Sequence, residues 1–384
     1  MANNQKRWKW AAIPGLALAL LLTGTSGTGL PPDSAAEAAT ASGATGAQAT
    51  LADTIFAKLR ARSAQFAVQT AGSASASLKA ADQAFGTAMK RDDYVNYTIK
   101  SYSFSSKSDG KKATVTVKVT YWENAAQSAY VAAKSKEILA SIIKPGMNDH
   151  QKVKAIHDWV LLHVAYDRTL RKHSAYDALA SGQAVCQGYA SLTYRLLTDA
   201  GLQARIAEGT VKTGPHAWNL VKLDGKWYHL DTTFDDPVPD VAGRTEYGYY
   251  LTTDAQMRRD HSWTLAYPSA TTSYAGTLAQ LQKSDPARKA FYTGLYETLG
   301  YLYLQPDHTV RNEQEIAAQI KQAIREGRTS VKVRYAQGAS RKLDLQKLLD
   351  AVPAIAKIQS RISAFPPGDP GDALLELQFT LAKS

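Results

Sequence analysis

The chain has 384 residues, 45% of them hydrophobic, with a formal net charge of +11 and a single cysteine. That apolar share suits a globular protein, and one thiol excludes an internal disulfide. The basic residues are scattered and no nucleic-acid-binding motif appears, so nucleic acid is not an expected partner; the charge serves solubility or attraction to anionic cell wall or membrane surface.

Lys6, Arg7 and Lys9 precede an apolar run from Ala11 to Leu22, and small residues follow, with Ala36-Glu37-Ala38 as a cleavage site. Residues 1–38 read as a secretory signal peptide, because about a dozen apolar residues fall short of the roughly 18 of a spanning helix. A membrane anchor is the alternative. No cysteine follows the run, which excludes lipoprotein attachment. Residues 39–50 are small and polar and form a flexible linker. The expected location is secreted or cell-surface associated, of bacterial type.

Residues 51–122 form an N-terminal αβαββ unit. Ile55, Phe56 and Leu59 have helical spacing, Phe66 and Val68 suggest a strand, and Leu78, Ala81, Phe85 and Met89 a second helix. "NYTIKSYSF" and "ATVTVKVTY" then alternate around "SSKSDGKK" as a hairpin. Residues 265–311 are a helical connector. Residues 312–384 repeat the αβαββ order in pattern only: Ile316, Ile320 and Ile324 mark a helix, "SVKVRY" a strand, "LDLQKLLDAV" a helix, and "AKIQSRISAF" and "LLELQFTLA" flank the turn-rich "PPGDPGD".

Between them, residues 123–264 carry the chemistry. Helices are expected at 125–142 and 149–165, the second with Val153, Ile156, Val160 and Val164 on one face. The cysteine segment follows, with Tyr189, Leu192, Leu196 and Leu197 as its buried stripe and Gly201 at its end. "ARIAEGTV" (204–211) is a strand, and "HAWNLVKL" and "KWYHLD" flank a two-residue turn at Asp224-Gly225. Helices followed by an antiparallel sheet make an α+β domain.

A thiol nucleophile needs a base, and the base a group that holds its tautomer. Cys186, His216 and Asp231 occur in that order. With a two-residue turn, residues whose numbers sum to 449 face each other, which makes His216 and Asp231 diagonal neighbours on one face, roughly 7–8 Å apart at the backbone. A three-residue turn would put them on opposite faces. Cys186 falls at the first turn of its helix, where backbone amides and the helix dipole favour a thiolate and can donate to an oxyanion. Gln187 and Tyr166 are candidates for a second oxyanion donor or for structure, Trp218 shields the pair or packs in the core, and Gly188 admits close approach of backbone or substrate. His157, His163, His173, His229 and His261 lack metal-site spacing, and "DDPVPD" (Asp235, Asp236, Asp240) lacks that of a calcium loop, so no metal and no cofactor are expected.

"SAYDALASGQAVCQGYASLTYRLLTDAGLQARIAEG" followed by "HAWNLVKLDGKWYHLDTTFDDP" resembles the transglutaminase-like superfamily of papain-type thiol enzymes. "IHDWVLLHVAYD" and "YYLTTDAQMRRDHSW" resemble the segments before and after. The resemblance covers about 140 residues and implies a papain/transglutaminase-like core, helices packed on an antiparallel sheet, here flanked by two small α/β units. It implies Cys186 as nucleophile, His216 as base and Asp231 as orienting acid. Asp177 departs from the family's glycine and reads as a loop change. The expected function is acyl transfer through a cysteine thioester on protein or peptide amides, by crosslinking or hydrolysis. The alternative is a catalytically silent binding or scaffold protein of the cell envelope. Redox sensing would account for Cys186 but would leave the His216–Asp231 pairing without purpose.

Overall fold

The computed structural model describes residues 5–8, 50–241 and 243–382. The apolar run and the linker lie outside the described residues; of the segment read as a signal peptide, only Gln5–Trp8 falls within them. Among the described residues no helix is long and apolar enough to cross a membrane. The fold is α+β, a mixed core flanked by two small α/β units. The chain divides into two compact units, Met1–Glu208 with Thr213–Trp218, and Gly209–Lys212 with Asn219–Ser384.

The first unit begins with strand β1 (Gln5–Trp8) and a helix, α1, over 50–60. β2 (Gln65–Ala71), α2 (Ala74–Met89), α3 (Asp93–Thr98), β3 (Ile99–Ser108) and β4 (Lys112–Tyr121) follow. The sheet order is β1-β3-β4-β2, with antiparallel pairs throughout. Alternation along β4 buries Val115, Val117 and Val119 and turns Thr114, Thr116 and Lys118 away. Phe85 of α2 packs on that buried face, 4.3 Å from Tyr102 and 5.5 Å from Phe104 between ring centres. The strand expected to begin at Asn96 begins at Ile99. Asp92 caps α3 by accepting from Val95 N, and this local bond carries 96–98 into the helix against their β-prone composition.

α4 (Ala125–Ile142) and α5 (Asp149–His163) each open on a capping box, Asn124 with Gln127 and Asn148 with Gln151. β5 (Ala165–Tyr166), α6 (Ala175–Ser181) and β6 (Gln183–Ala184) lead to α7 (Cys186–Asp199). Tyr189, Leu192, Leu196 and Leu197 are buried along α7. Gly201, at φ 85°, follows its end, with Leu202 N bonded to Leu197 O. The division between the units runs through β7 (Ala204–Val211) and β8 (Gly214–Leu223).

In the second unit β8 turns at Asp224 and Gly225, both at positive φ, into β9 (Lys226–Leu230). The pairs Asn219↔Leu230 through Leu223↔Lys226 all sum to 449, the register of a two-residue turn. β10 (Tyr250–Thr252) adds to β9, and the sheet order is β10-β9-β8-β7. α8 (Asp254–Met257), α9 (Tyr274–Ser284) and α10 (Lys289–Thr298) follow. Tyr228 on β9 meets Thr277 of α9 by a 2.8 Å hydroxyl–hydroxyl bond. The chain then runs through β11 (Thr309–Val310), α11 (Glu313–Arg325), β12 (Ser330–Tyr335), α12 (Leu345–Ala351), β13 (Ile355–Ala364) and β14 (Ala373–Leu381), in sheet order β11-β12-β14-β13.

Candidate active site

Cys186 is the first residue of α7 and is half-buried. Its N-cap is Val185, whose side chain caps nothing. In most helices a Ser, Asp or Asn side chain occupies the first-turn amides. Here no side chain takes them: Gly188 N bonds Val185 O at 2.8 Å, and the amides of Cys186 and Gln187 stand at the positive pole of the helix dipole.

Three local features hold that end in place. Gly188 has no room for a side chain: a Cβ would stand 2.6 Å from Ala184 Cβ and 3.0 Å from Ser174 O. The close approach is therefore to the protein itself, the Ala184 methyl first and then the Ser174 carbonyl. Asp177 is not a loop change but the third residue of α6, where it completes a capping box with Ser174 and also accepts from His173 N. Asp167 accepts from Thr169 N and Oγ1 and from Arg171 N and Lys172 N, and Lys172 O then takes Val185 N at 2.8 Å. Burial alone would raise the Asp167 pKa, but these hydrogen bonds outweigh it and hold the carboxyl well below its ordinary range.

Tyr166 pairs with Ala184 across the β5–β6 ladder and lies close to Cys186. Burial first, then the proximity of Cys186 and of Asp167, push its phenol up, so it stays a hydrogen-bond donor. The Gln187 side chain is tied down: its Nε2 donates to Tyr97 O at 2.7 Å. Burial lowers the pKa of nearby His173, against the opposing pull of Leu170 O, Asp177 and Gln187. His173 stacks on Trp122 with ring centres 4.0 Å apart.

Helix α7 and strands β7 and β8 share an apolar cluster of Tyr97, Ala190, Ile206 and Ala217. Ala190 is one turn after Cys186, and Ala217 is the neighbour of His216. His216 is buried and its ring stacks on buried Trp218 at 5.9 Å, nearly parallel. Within this unit Cys186 and His216 thus flank one patch of core.

Residues 136–232 match a family model, the transglutaminase-like superfamily. This segment is a transglutaminase-like domain. Mouse kyphoscoliosis peptidase is 27% identical over 198 residues, covering 44% of this chain and 29% of that protein. The human protein of the same name is 28% identical over 172 residues, covering 37% and 26%. The chain spans under a third of the length of these curated relatives. A solved transglutaminase structure is 19% identical over 34% of this chain and 43% of its own, at a TM-score of 0.23.

In the second unit, the residue just past β9 is Asp231, fully buried. Its Oδ1 accepts from Thr233 N at 3.0 Å and Phe234 N at 3.1 Å, a local turn that anchors this oxygen. Its Oδ2 faces His261 Nε2 at 3.2 Å. His261, set aside on spacing as a metal ligand, is the side chain that sequence reasoning missed; the only signal is its place in the "DHSW" stretch of the transglutaminase-like resemblance. Other histidines engage protein partners: His157 Nδ1 meets Asp158, His163 Nδ1 Trp159 O, and His229 Nε2 Asp254. Asp235 takes Tyr249 N at 2.7 Å.

Proposed function

We propose that the protein is an exported cysteine enzyme that transfers acyl groups from protein or peptide amides through a thioester at Cys186, with His216 as base and Asp231 as its orienting acid. The observation that carries this is the half-buried thiol as the first residue of a helix without a side-chain cap, in a transglutaminase-like domain. The reading of His216 with Asp231 depends on a two-residue turn between β8 and β9, and the register from Asn219↔Leu230 to Leu223↔Lys226 is that of such a turn.

His216 takes the Cys186 proton. The thiolate adds to the amide carbonyl, and the oxyanion is met by first-turn amides. His216 returns the proton to the leaving nitrogen as the C–N bond breaks, leaving the acyl group on sulfur. Water or an amine then attacks the thioester, gives its proton to His216, and the thiolate departs. Water makes the reaction hydrolysis and a lysine-like amine makes it crosslinking. The basic charge and leader-like N-terminus favour substrates at the cell surface.

The test is the rate of Cys186 alkylation by iodoacetamide against pH, in wild type and His216→Ala, followed by incorporation of labelled amines and cleavage of peptides. An ordinary thiol titrates near pH 8.5, whereas helix- and His-assisted thiols fall to about 3.5–7.5. Fast alkylation below pH 7, lost in the variant, is expected. A profile near 8.5 in both proteins would point instead to the silent scaffold.

A further inference from the structure

We infer that His261 is a positioning residue: it clamps Oδ2 of Asp231 so that this carboxylate presents a fixed acceptor to the catalytic base. The inference rests on the triad reading above and adds a fourth side chain to it.

An orienting carboxylate works only if its plane and both oxygens are fixed, since the base inherits any rotation about its χ angles. The turn at Thr233 and Phe234 secures Oδ1 alone. Oδ2 is secured by His261, thirty residues further along the chain. His261 is itself heavily constrained. It is buried, and its Nδ1 meets Asp260 Oδ1 at 2.6 Å. Phe234 and Tyr249 pack against the ring with centres 4.7 and 5.4 Å away.

The backbone is fixed as well. His261 N donates to Met257 O at 3.0 Å, and Ser262 and Thr210 exchange two backbone hydrogen bonds. Tyr249 donates its hydroxyl to the other oxygen of Asp260. Burial first, then Asp260, then the charges of Asp231 and Asp235 hold that phenol protonated, so it remains a donor. The result is a continuous line, Tyr249 to Asp260 to His261 to Asp231. Carboxylates only accept, so a hydrogen bond from His261 to either aspartate is donated by the ring. A ring with two carboxylate partners, two aromatic neighbours and a pinned backbone is better suited to transmitting orientation than to filling space.

The experiment compares wild type with His261→Ala, His261→Gln and Asp260→Asn, and uses His229→Gln as a control. His229, on β9, is also buried and is bonded to an aspartate, Asp254 of α8. Thermal unfolding is read alongside the pH profile of Cys186 alkylation and the kcat and KM for labelled-amine incorporation. His261→Ala is expected to lower kcat and the alkylation rate at pH 6 on the order of tenfold, the scale at which outer supports of a site act, with KM unchanged. Gln, which keeps one N–H donor, should recover part of the loss. Asp260→Asn should show a smaller loss in the same direction, and it keeps the question answerable if His261→Ala does not fold. The control should move the melting temperature without moving the profile. An activated wild-type thiol with an unchanged profile in the folded His261 and Asp260 variants would overturn this inference alone. An unactivated wild-type thiol would overturn the triad reading and this inference with it.

Discussion

The two αβαββ segments, 50–121 and 313–381, have one topology and different relations to their surroundings. In the first, β2 and β3 both pair antiparallel with β4; in the second, β12 and β13 both pair antiparallel with β14. Each buries an alternating sheet face under two helices. Their buried aspartates differ in what they hold. Asp93 reaches out of its segment to Arg205 Nε at 2.7 Å and Ile206 N at 2.8 Å on β7, and nearby Tyr97 bonds Glu208 through its hydroxyl and Gln187 through its carbonyl. Asp372 serves its own segment, accepting from Arg334 Nε, Gln337 N and Asp369 N. Outward, loop 365–372 meets Arg259 by one bond, to Pro366 O at 2.8 Å, beside a cavity of about 320 Å³. The same fold thus uses its buried aspartate to brace the strand beside the cysteine helix in the first segment and to close its own loop in the second.

That contrast can be broken by substitution. Asp372→Ala leaves Arg334 without its buried partner and should cost about 3 kcal/mol of stability, the lower end for a broken buried ion pair. At temperatures where the variant is folded, the Cys186 alkylation profile should match wild type. A shifted profile would show that the second segment also braces the site.

Asp93→Ala should cost less, about 2 kcal/mol, because Arg205 is 42% exposed and water replaces part of the interaction. It should nevertheless slow Cys186 alkylation, since β7 and the end of α3 support α7. An unchanged alkylation profile at reduced melting temperature would remove the distinction between the segments.

The smallest effect is expected at Asp167, which belongs to neither segment and so calibrates the other two. Its hydrogen bonds hold its pKa below the unfolded value of about 3.9, so its stabilisation is complete above that pH and is lost as pH falls through the folded value. Asp167→Asn keeps one acceptor oxygen and should cost on the order of 1 kcal/mol at neutral pH. Chemical denaturation from pH 7 to pH 3 should show the difference between variant and wild type shrinking as pH falls. A constant difference would mean that the charge of Asp167 contributes nothing.

What was legible in the sequence was local. Asp224-Gly225 dictates a two-residue turn because both residues accept positive φ, and the register of β8 on β9 follows from it. β7 and β12 run over the same residues that their alternation indicates, and α7 starts where the loop ends at Val185. The order Cys186, His216, Asp231 needs only a helix N-terminus and one hairpin to be read.

What the tertiary structure decided were contacts between residues far apart in the chain: His261 on Asp231 at a separation of 30, Gln187 on Tyr97 at 90, and Asp93 on Ile206 at 113. Hydrophobic period and turn chemistry describe a residue's neighbours within about a turn or a strand, so they say which face a side chain occupies. They carry no information about which polar group will be buried opposite it. That depends on how sheets and helices pack, and burial then compels each polar group to take the partner the packing supplies.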